Sequence, residues 1–262
     1  MSDADKASKE RLKAAGIDNY QQEFRWLSDH ASSSDKSLDR LVERRCAGEP
    51  LQHILGTTPF HAISLKTDKR ALIPRSDSET IVDLALELLA PERSYRIADL
   101  GAGTGALLLA VLNQRPSATG WAVERSEAAC ELLNENINAL GMSERADVFH
   151  GSWADWSGWS EADFIISNPP YIEGAIIPTL SVEVKDYDPL EALSGGPDGL
   201  DAYREIIRMG AQLLKDGTWL VMEIGYDQRD RVSELLEDHS FTDLIHRKDL
   251  GNRDRAIAAR KT

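Results

Sequence analysis

From Tyr95 to the C-terminus, short apolar runs alternate with stretches of helical periodicity. That alternation constrains the fold most, because strands separated by helices cross over to run side by side and bury both faces. Strands are expected over Arg96 to Leu100, Trp121 to Glu124, Ala146 to His150, Phe164 to Ser167 and Trp219 to Ile224. Helices are expected over Leu107 to Leu112, from Ser126 to before Gly141, over Asp201 to Leu214 and around Val232 to Leu236. Two last alternating segments, Thr242 to His246 and Arg255 to Ala259, read as a hairpin at the sheet edge. The fold class is α/β with a mainly parallel sheet. No internal repeat or low-complexity tract interrupts it.

Upstream, residues 5–47 are polar and helical, with Leu12, Ile17, Phe24, Trp26 and Leu27 among many charges. Asp35 is a candidate cap for the helix carrying Leu38, Leu41 and Val42, and Gly48-Glu49-Pro50 stops that helix. Residues 1–56 therefore read as a small helical unit. Residues 57–74 read as a β-hairpin linker, with Thr67-Asp68-Lys69 as its polar turn. Residues 75–262 form the main domain, with Ser76 or Asp77 expected to cap its first helix.

The 262 residues are 42% hydrophobic, enough for a sizeable core, and carry a formal net charge of −14. So acidic a surface repels phosphate backbones, which argues against stable nucleic acid binding. The two cysteines, Cys46 and Cys130, have no metal-like spacing and suit a reducing compartment. Met1 to Glu10 lacks the apolar centre of a signal peptide, and no apolar run is long enough to span a bilayer. These features lead us to expect a cytoplasmic protein with no membrane partner.

Asp99-Leu100-Gly101-Ala102-Gly103-Thr104-Gly105 closes a strand and opens a helix. Glycines let a ligand approach the backbone, and a helix N-terminus offers unpaired N–H groups. Glu124 closes the following strand about 20 residues on, where a carboxylate can accept both hydroxyls of a ribose. Together they point to a nucleoside site. Gly101, Gly103 and Ala106 also satisfy the dinucleotide pattern G-x-G-x-x-G/A, so the loop alone leaves the ligand open.

Ser167-Asn168-Pro169-Pro170-Tyr171-Ile172 narrows the choice. Each proline lacks an N–H and fixes φ at about −65°, so the apolar strand before them ends in a stiff turn. Asn168 is pushed toward extended geometry. Ligands of open α/β sheets bind at this end of the strands. A dinucleotide enzyme needs no such turn, whereas methyl transfer to a planar nitrogen does. The lone pair of an amide or exocyclic amine is delocalised and poorly nucleophilic. If the Asn168 side-chain oxygen and the Pro169 carbonyl each accept an N–H, they orient that nitrogen and stabilise its developing positive charge. The Tyr171 ring can pack on the flat group. No catalytic Cys, Ser or metal is required, and the six histidines are scattered.

In this combination the chain resembles the Rossmann-like S-adenosylmethionine-dependent methyltransferases. Within them it resembles the protein-(glutamine-N5) methyltransferases of class I peptide-chain release factors, the HemK/PrmC family. The similarity extends from Glu49-Pro50-Leu51-Gln52-His53-Ile54-Leu55-Gly56 through Leu72-Ile73-Pro74-Arg75, Asp186-Tyr187-Asp188-Pro189, Gly195-Gly196, Asp198-Gly199-Leu200-Asp201 and Lys248 to Arg255. It implies S-adenosylmethionine as cofactor, with Gly101, Ala102, Gly103, Thr104 and Gly105 at its methionine end. It also implies Glu124 at the ribose and Trp153 beside the adenine. Asn168, Pro169, Pro170 and Tyr171 would hold the target glutamine amide. Asn168, Pro169 and Tyr171 are then the candidate catalytic residues, with Asn168 also bordering the cofactor. The implied partner is a class I release factor, methylated at the glutamine of its Gly-Gly-Gln motif.

Three rivals stand beside this reading. A sister enzyme acting on a glutamine of a large-subunit ribosomal protein shares the core motifs. A DNA adenine-N6 methyltransferase shares Asn-Pro-Pro-Tyr, but the −14 charge argues against its basic groove. A cofactor-binding scaffold without turnover would not need Asn168 and Tyr171 intact. The chain departs from the family at Ser152, usually acidic, and at Arg75-Ser76-Asp77-Ser78-Glu79, usually Arg-Pro-Glu-Thr-Glu. The resemblance implies that the helical unit, residues 1–56, is a substrate-recognition domain that helps grip the release factor; its segment before Glu49 is also shorter than usual. Glu79 and Asp99 read equally as structural or cofactor-supporting carboxylates, and Asp227 to Arg231 as a solvated helix face.

Overall fold

A computed structural model describes residues 3–262; Met1 and Ser2, the start of the expected helical unit, lie outside the described residues. Four helices come first: α1 (Asp3–Ala14), α2 (Tyr20–Ser33), α3 (Leu38–Cys46) and α4 (Leu51–Leu55). Their apolar residues recur at helical spacing, so Leu12, Phe24, Leu27, Leu41, Val42 and Ile54 meet in a small core of their own. Ser37 rather than Asp35 precedes α3, and no side chain caps it.

Next comes an antiparallel pair, β1 (Thr57–Phe60) and β2 (Ile63–Lys66), in which Phe60 faces Ile63 across the ladder. The turn is therefore His61-Ala62, with His61 at φ 50°, and Thr67-Asp68-Lys69 lies beyond β2. Directly paired residues share a face, so this register buries Phe60, Ile63 and Leu65 together. A turn at Thr67-Asp68-Lys69 would forfeit that pairing. The triplet is fixed instead by Thr67 N–H on the Gly56 carbonyl and by Asp68 on the Arg70 guanidinium.

One 3-10 turn, Ser76–Ser78, leads into α5 (Glu79–Leu88), and neither Ser76 nor Asp77 caps it through its side chain. The main domain continues as β3 (Arg96–Leu100), α6 (Ala106–Gln114), β4 (Thr119–Glu124), α7 (Glu127–Ala139), β5 (Ala146–His150) and β6 (Phe164–Ser167). Then follow α8 (Val182–Lys185), α9 (Leu190–Leu193), α10 (Asp201–Leu213), β7 (Trp219–Glu223), α11 (Arg229–Asp238), β8 (Phe241–Lys248) and β9 (Asp254–Lys261). Ser126 caps α7 as expected, its Oγ accepting from the Ala129 N–H at 3.3 Å.

The seven strands lie in the order β5-β4-β3-β6-β7-β9-β8. The strands from β5 to β7 are parallel, while β9 is antiparallel to both β7 and β8. Burial on both faces explains the unbroken apolar run of β6: Phe164 and Ile166 join the core under α5 and α6, and Ile165 joins the core under α10. From β3 the chain passes outward to β4, whereas β6 lies on the other side of β3. Such a switch in strand order opens a crevice at the carboxyl ends of the two strands. The glycine loop follows one of them and Asn168 to Tyr171 follow the other.

Candidate active site

A cavity of about 480 Å³ occupies this crevice, walled by Gly101, Ala102, Gly103, Thr104, Glu124, Trp153, Asn168 and Pro170, and by Ala71, Leu72 and Pro74 of the linker region. Three of the anticipated site residues, Gly105, Pro169 and Tyr171, lie outside the wall. Gly105 opens α6 at φ 85°, and a Cβ there would stand 2.4 Å from a Leu133 methyl, so only glycine fits.

The Glu124 carboxylate is clamped from two sides. Its Oε2 accepts the Gly103 N–H at 2.9 Å and its Oε1 accepts the Ser126 N–H at 2.8 Å. Each oxygen keeps a lone pair for a further donor. Behind it, Asp99 accepts the Leu108 N–H at 3.2 Å through Oδ2, while its buried Oδ1 has no partner among the described residues. Burial pushes the Asp99 carboxyl up to about 7; the Leu108 N–H opposes this and the Glu124 charge adds to it. An orphaned carboxylate oxygen beside a cavity suits a cationic ligand group.

Three tryptophans crowd this stretch, and only Trp153 reaches the cavity. Trp156 and Trp159 are buried core residues, Trp156 meeting Trp121 edge-on at 5.6 Å. The Trp153 indole N–H donates to Glu205 on α10 at 2.8 Å, and the Trp153 carbonyl accepts from Trp159 at 2.9 Å. Glu205 itself borders the cavity, as does Ser152, whose Oγ accepts the Ala154 N–H.

After β6, the Asn168 Nδ2 donates to Ser78 Oγ at 3.3 Å, and Ser78 Oγ donates to Glu223 Oε2 at 2.5 Å. The Tyr171 hydroxyl turns inward and donates to Glu223 Oε1 at 2.8 Å, with Arg255 Nη1 3.9 Å from the same oxygen. Burial raises the Glu223 pKa, opposed by the Ser78 and Tyr171 hydrogen bonds and by Arg255. Burial and then the Glu223 charge raise the Tyr171 phenol well beyond its ordinary range.

The turn is braced from behind. Ile172 N–H donates to the Leu193 carbonyl at 3.0 Å, and Gly195 N–H donates to the Ile172 carbonyl at 2.9 Å. A Cβ on Gly195 would lie 2.8 Å from the Pro170 oxygen, so the loop can approach only because it is glycine. Gln228 Nε2 donates to the Tyr171 carbonyl at 3.0 Å. Gln228 is buried, so Asp227 to Arg231 is not the uniformly solvated face its charges suggest. Glu79 accepts the His61 N–H at 3.0 Å, a hairpin contact.

Sequence reasoning missed Ser78, Glu205 and Glu223 as site residues. Glu223 had a signal: like Glu124, it is a lone carboxylate closing an apolar strand. Ser78 had a weaker one, a hydroxyl kept where Arg-Pro-Glu-Thr-Glu has threonine, and Glu205 had none. Among the described residues, no group of three or more His, Cys, Asp or Glu side chains could hold a metal ion, and no helix is long and apolar enough to cross a membrane.

A parallel sheet whose strand order switches beside a glycine loop, with Asn-Pro-Pro-Tyr following the adjoining strand, defines a Rossmann-like methyltransferase, and the family model "Methyltransferase small domain" matches residues 77–183. The fold is shared with the T. Thermophilus 16S rRNA methyltransferase RsmC, solved with AdoMet and guanosine: TM-score 0.56, 19% identity, 79% of this chain and 50% of that one. The release factor glutamine methyltransferase of Caulobacter vibrioides is 37% identical over 268 residues, covering 96% of this chain and 93% of its own. That of Bradyrhizobium diazoefficiens is 41% identical over 225 residues, covering 84% and 75%. The chain belongs to the release factor glutamine methyltransferase family.

Proposed function

We propose that this protein transfers a methyl group from S-adenosylmethionine to the side-chain amide nitrogen of the glutamine in the Gly-Gly-Gln motif of class I peptide-chain release factors, in the cytoplasm. Family membership supports the reaction class. The observation that carries the assignment is Asn168 at the cavity wall, its Nδ2 tied back to Ser78, beside the glycine loop. The cofactor is supported by an orphaned Asp99 oxygen, by the spare acceptor capacity of Glu124 and by a cavity of about 480 Å³.

When bound, the cofactor supplies an electrophilic methyl group on a cationic sulfonium. Asp99 compensates positive charge. Gly101 to Thr104 let the ligand lie against the backbone, with Gly105 holding the loop at the start of α6. Glu124 would accept ribose hydroxyls, and Trp153, held by Glu205, would flank the adenine. The Asn168 side-chain oxygen and the Pro169 carbonyl accept the glutamine N–H groups, aiming the nitrogen lone pair and stabilising its growing charge. Pro170 shapes the wall. Tyr171, its hydroxyl committed to Glu223, stiffens the turn and does not act as a base. The surplus proton passes to solvent.

Asn168→Ala tests the division of labour. Cofactor affinity measured by titration calorimetry should stay within about threefold, while turnover falls by about 100-fold or more. Unchanged turnover would refute the assignment.

A further inference from the structure

We propose that Ser78 and Glu223 are positioning residues that fix which end of the Asn168 amide faces the cavity, and so make the site select an amide over a carboxylate. This rests on the functional reading above. A carboxamide has two ends of nearly equal size, one an acceptor and one a donor, and its neighbours decide which faces the ligand.

The neighbour here is Ser78, whose Oγ lies 3.3 Å from Asn168 Nδ2. A serine hydroxyl has one proton. Ser78 gives it to the buried Glu223 carboxylate at 2.5 Å and keeps only lone pairs. Asn168 must then donate its NH2 to Ser78, and its Oδ1 turns away. Among the described residues Oδ1 has no hydrogen-bond partner. The opposite orientation would set Oδ1 against Ser78 Oγ with no proton between them, leaving two acceptors unsatisfied.

Glu223 is held as the end of this chain. Its other oxygen takes the Tyr171 hydroxyl at 2.8 Å, and Arg255 lies 3.9 Å away. Each bond runs in one direction: Asn168 to Ser78, Ser78 to Glu223. A substrate N–H donating to Asn168 Oδ1 extends the chain. A glutamine amide supplies that donor. A glutamate carboxylate supplies only acceptors, and meets one.

The experiment compares wild type, Ser78→Ala, Ser78→Thr and Glu223→Gln on a release factor carrying Gly-Gly-Gln. A Gly-Gly-Glu version serves as competitive inhibitor. For Ser78→Ala and Glu223→Gln, kcat should fall about tenfold or more, and preference for glutamine over glutamate should shrink about tenfold. Ser78→Thr keeps the hydroxyl and should return both to within about threefold of wild type. Ser78→Ala with unchanged kcat and preference would overturn the inference. So would equal impairment of the Ala and Thr variants, which marks a packing effect. A wild type inactive on the glutamine factor would instead defeat the functional reading. The relay is then read alone by proton exchange at the Asn168 side-chain NH2 in NMR. Exchange about tenfold faster in Ser78→Ala supports it, and equal exchange overturns it.

Discussion

Tyr171 and Glu223, 52 residues apart in the chain, meet where two neighbouring parallel strands end, the phenol donating to the carboxylate at 2.8 Å. The contact ties the turn after β6 to the last residue of β7. It also draws the Tyr171 hydroxyl into the protein, which leaves the cavity face to Asn168 and Pro170.

Tyr171→Phe removes one donor from a buried carboxylate and little volume. Stability should drop by about 1–3 kcal/mol, read as a lower urea midpoint at unchanged slope. An unchanged midpoint would show that the bond contributes nothing net.

Asp99 should make stability and cofactor binding depend on pH in opposite directions. Its carboxyl is pushed from 3.8 to about 7, so across that interval the folded protein holds a proton that the unfolded chain has released. The contribution is full below the lower value and is lost as pH rises through the upper one. Wild type should therefore lose stability relative to Asp99→Asn between about pH 4 and 7, measured by urea titration. A cation beside Asp99 favours its ionised form. Cofactor affinity should rise with pH up to about 7 and then level off, and Asp99→Asn should flatten that rise.

Arg45 joins the N-terminal helices to the loop that follows the turn at Asn168 to Tyr171. From α3 its guanidinium reaches Glu23 on α2 at 2.5 Å and Glu183 on α8 at 2.6 Å. Arg45→Ala strands the largely buried Glu23 carboxylate, Glu183 remaining open to water, and should destabilise the helical unit by about 2–4 kcal/mol. Hydrogen exchange should quicken in α1 to α3 and in residues 173–189. KM for the protein substrate should rise while cofactor affinity holds.

Glycines and prolines dictate backbone geometry by themselves, so the glycine loop and the turn at Pro169-Pro170 were legible from local sequence. Glu124 was legible because it closes a strand at a fixed distance from that loop. The hairpin turn was not, since His61-Ala62 lacks the Asn-Gly signal of two-residue turns and register follows Phe60 pairing with Ile63. The two closing strands could be seen, but their order could not: β9 lies inside β8 through pairing with the distant β7. Ser78 meets Asn168 across 90 residues and Glu223 across 145, and Trp153 meets Glu205 across 52. No local pattern encodes such contacts. Gln228 was hidden by charged neighbours, although its amide supports the turn at Tyr171.

The most direct measurement is mass spectrometry of a class I release factor incubated with this protein and isotopically labelled S-adenosylmethionine. One labelled methyl group on the glutamine of Gly-Gly-Gln, absent with Asn168→Ala, is the predicted result. An unlabelled glutamine, under conditions where a family relative labels it, would contradict the account.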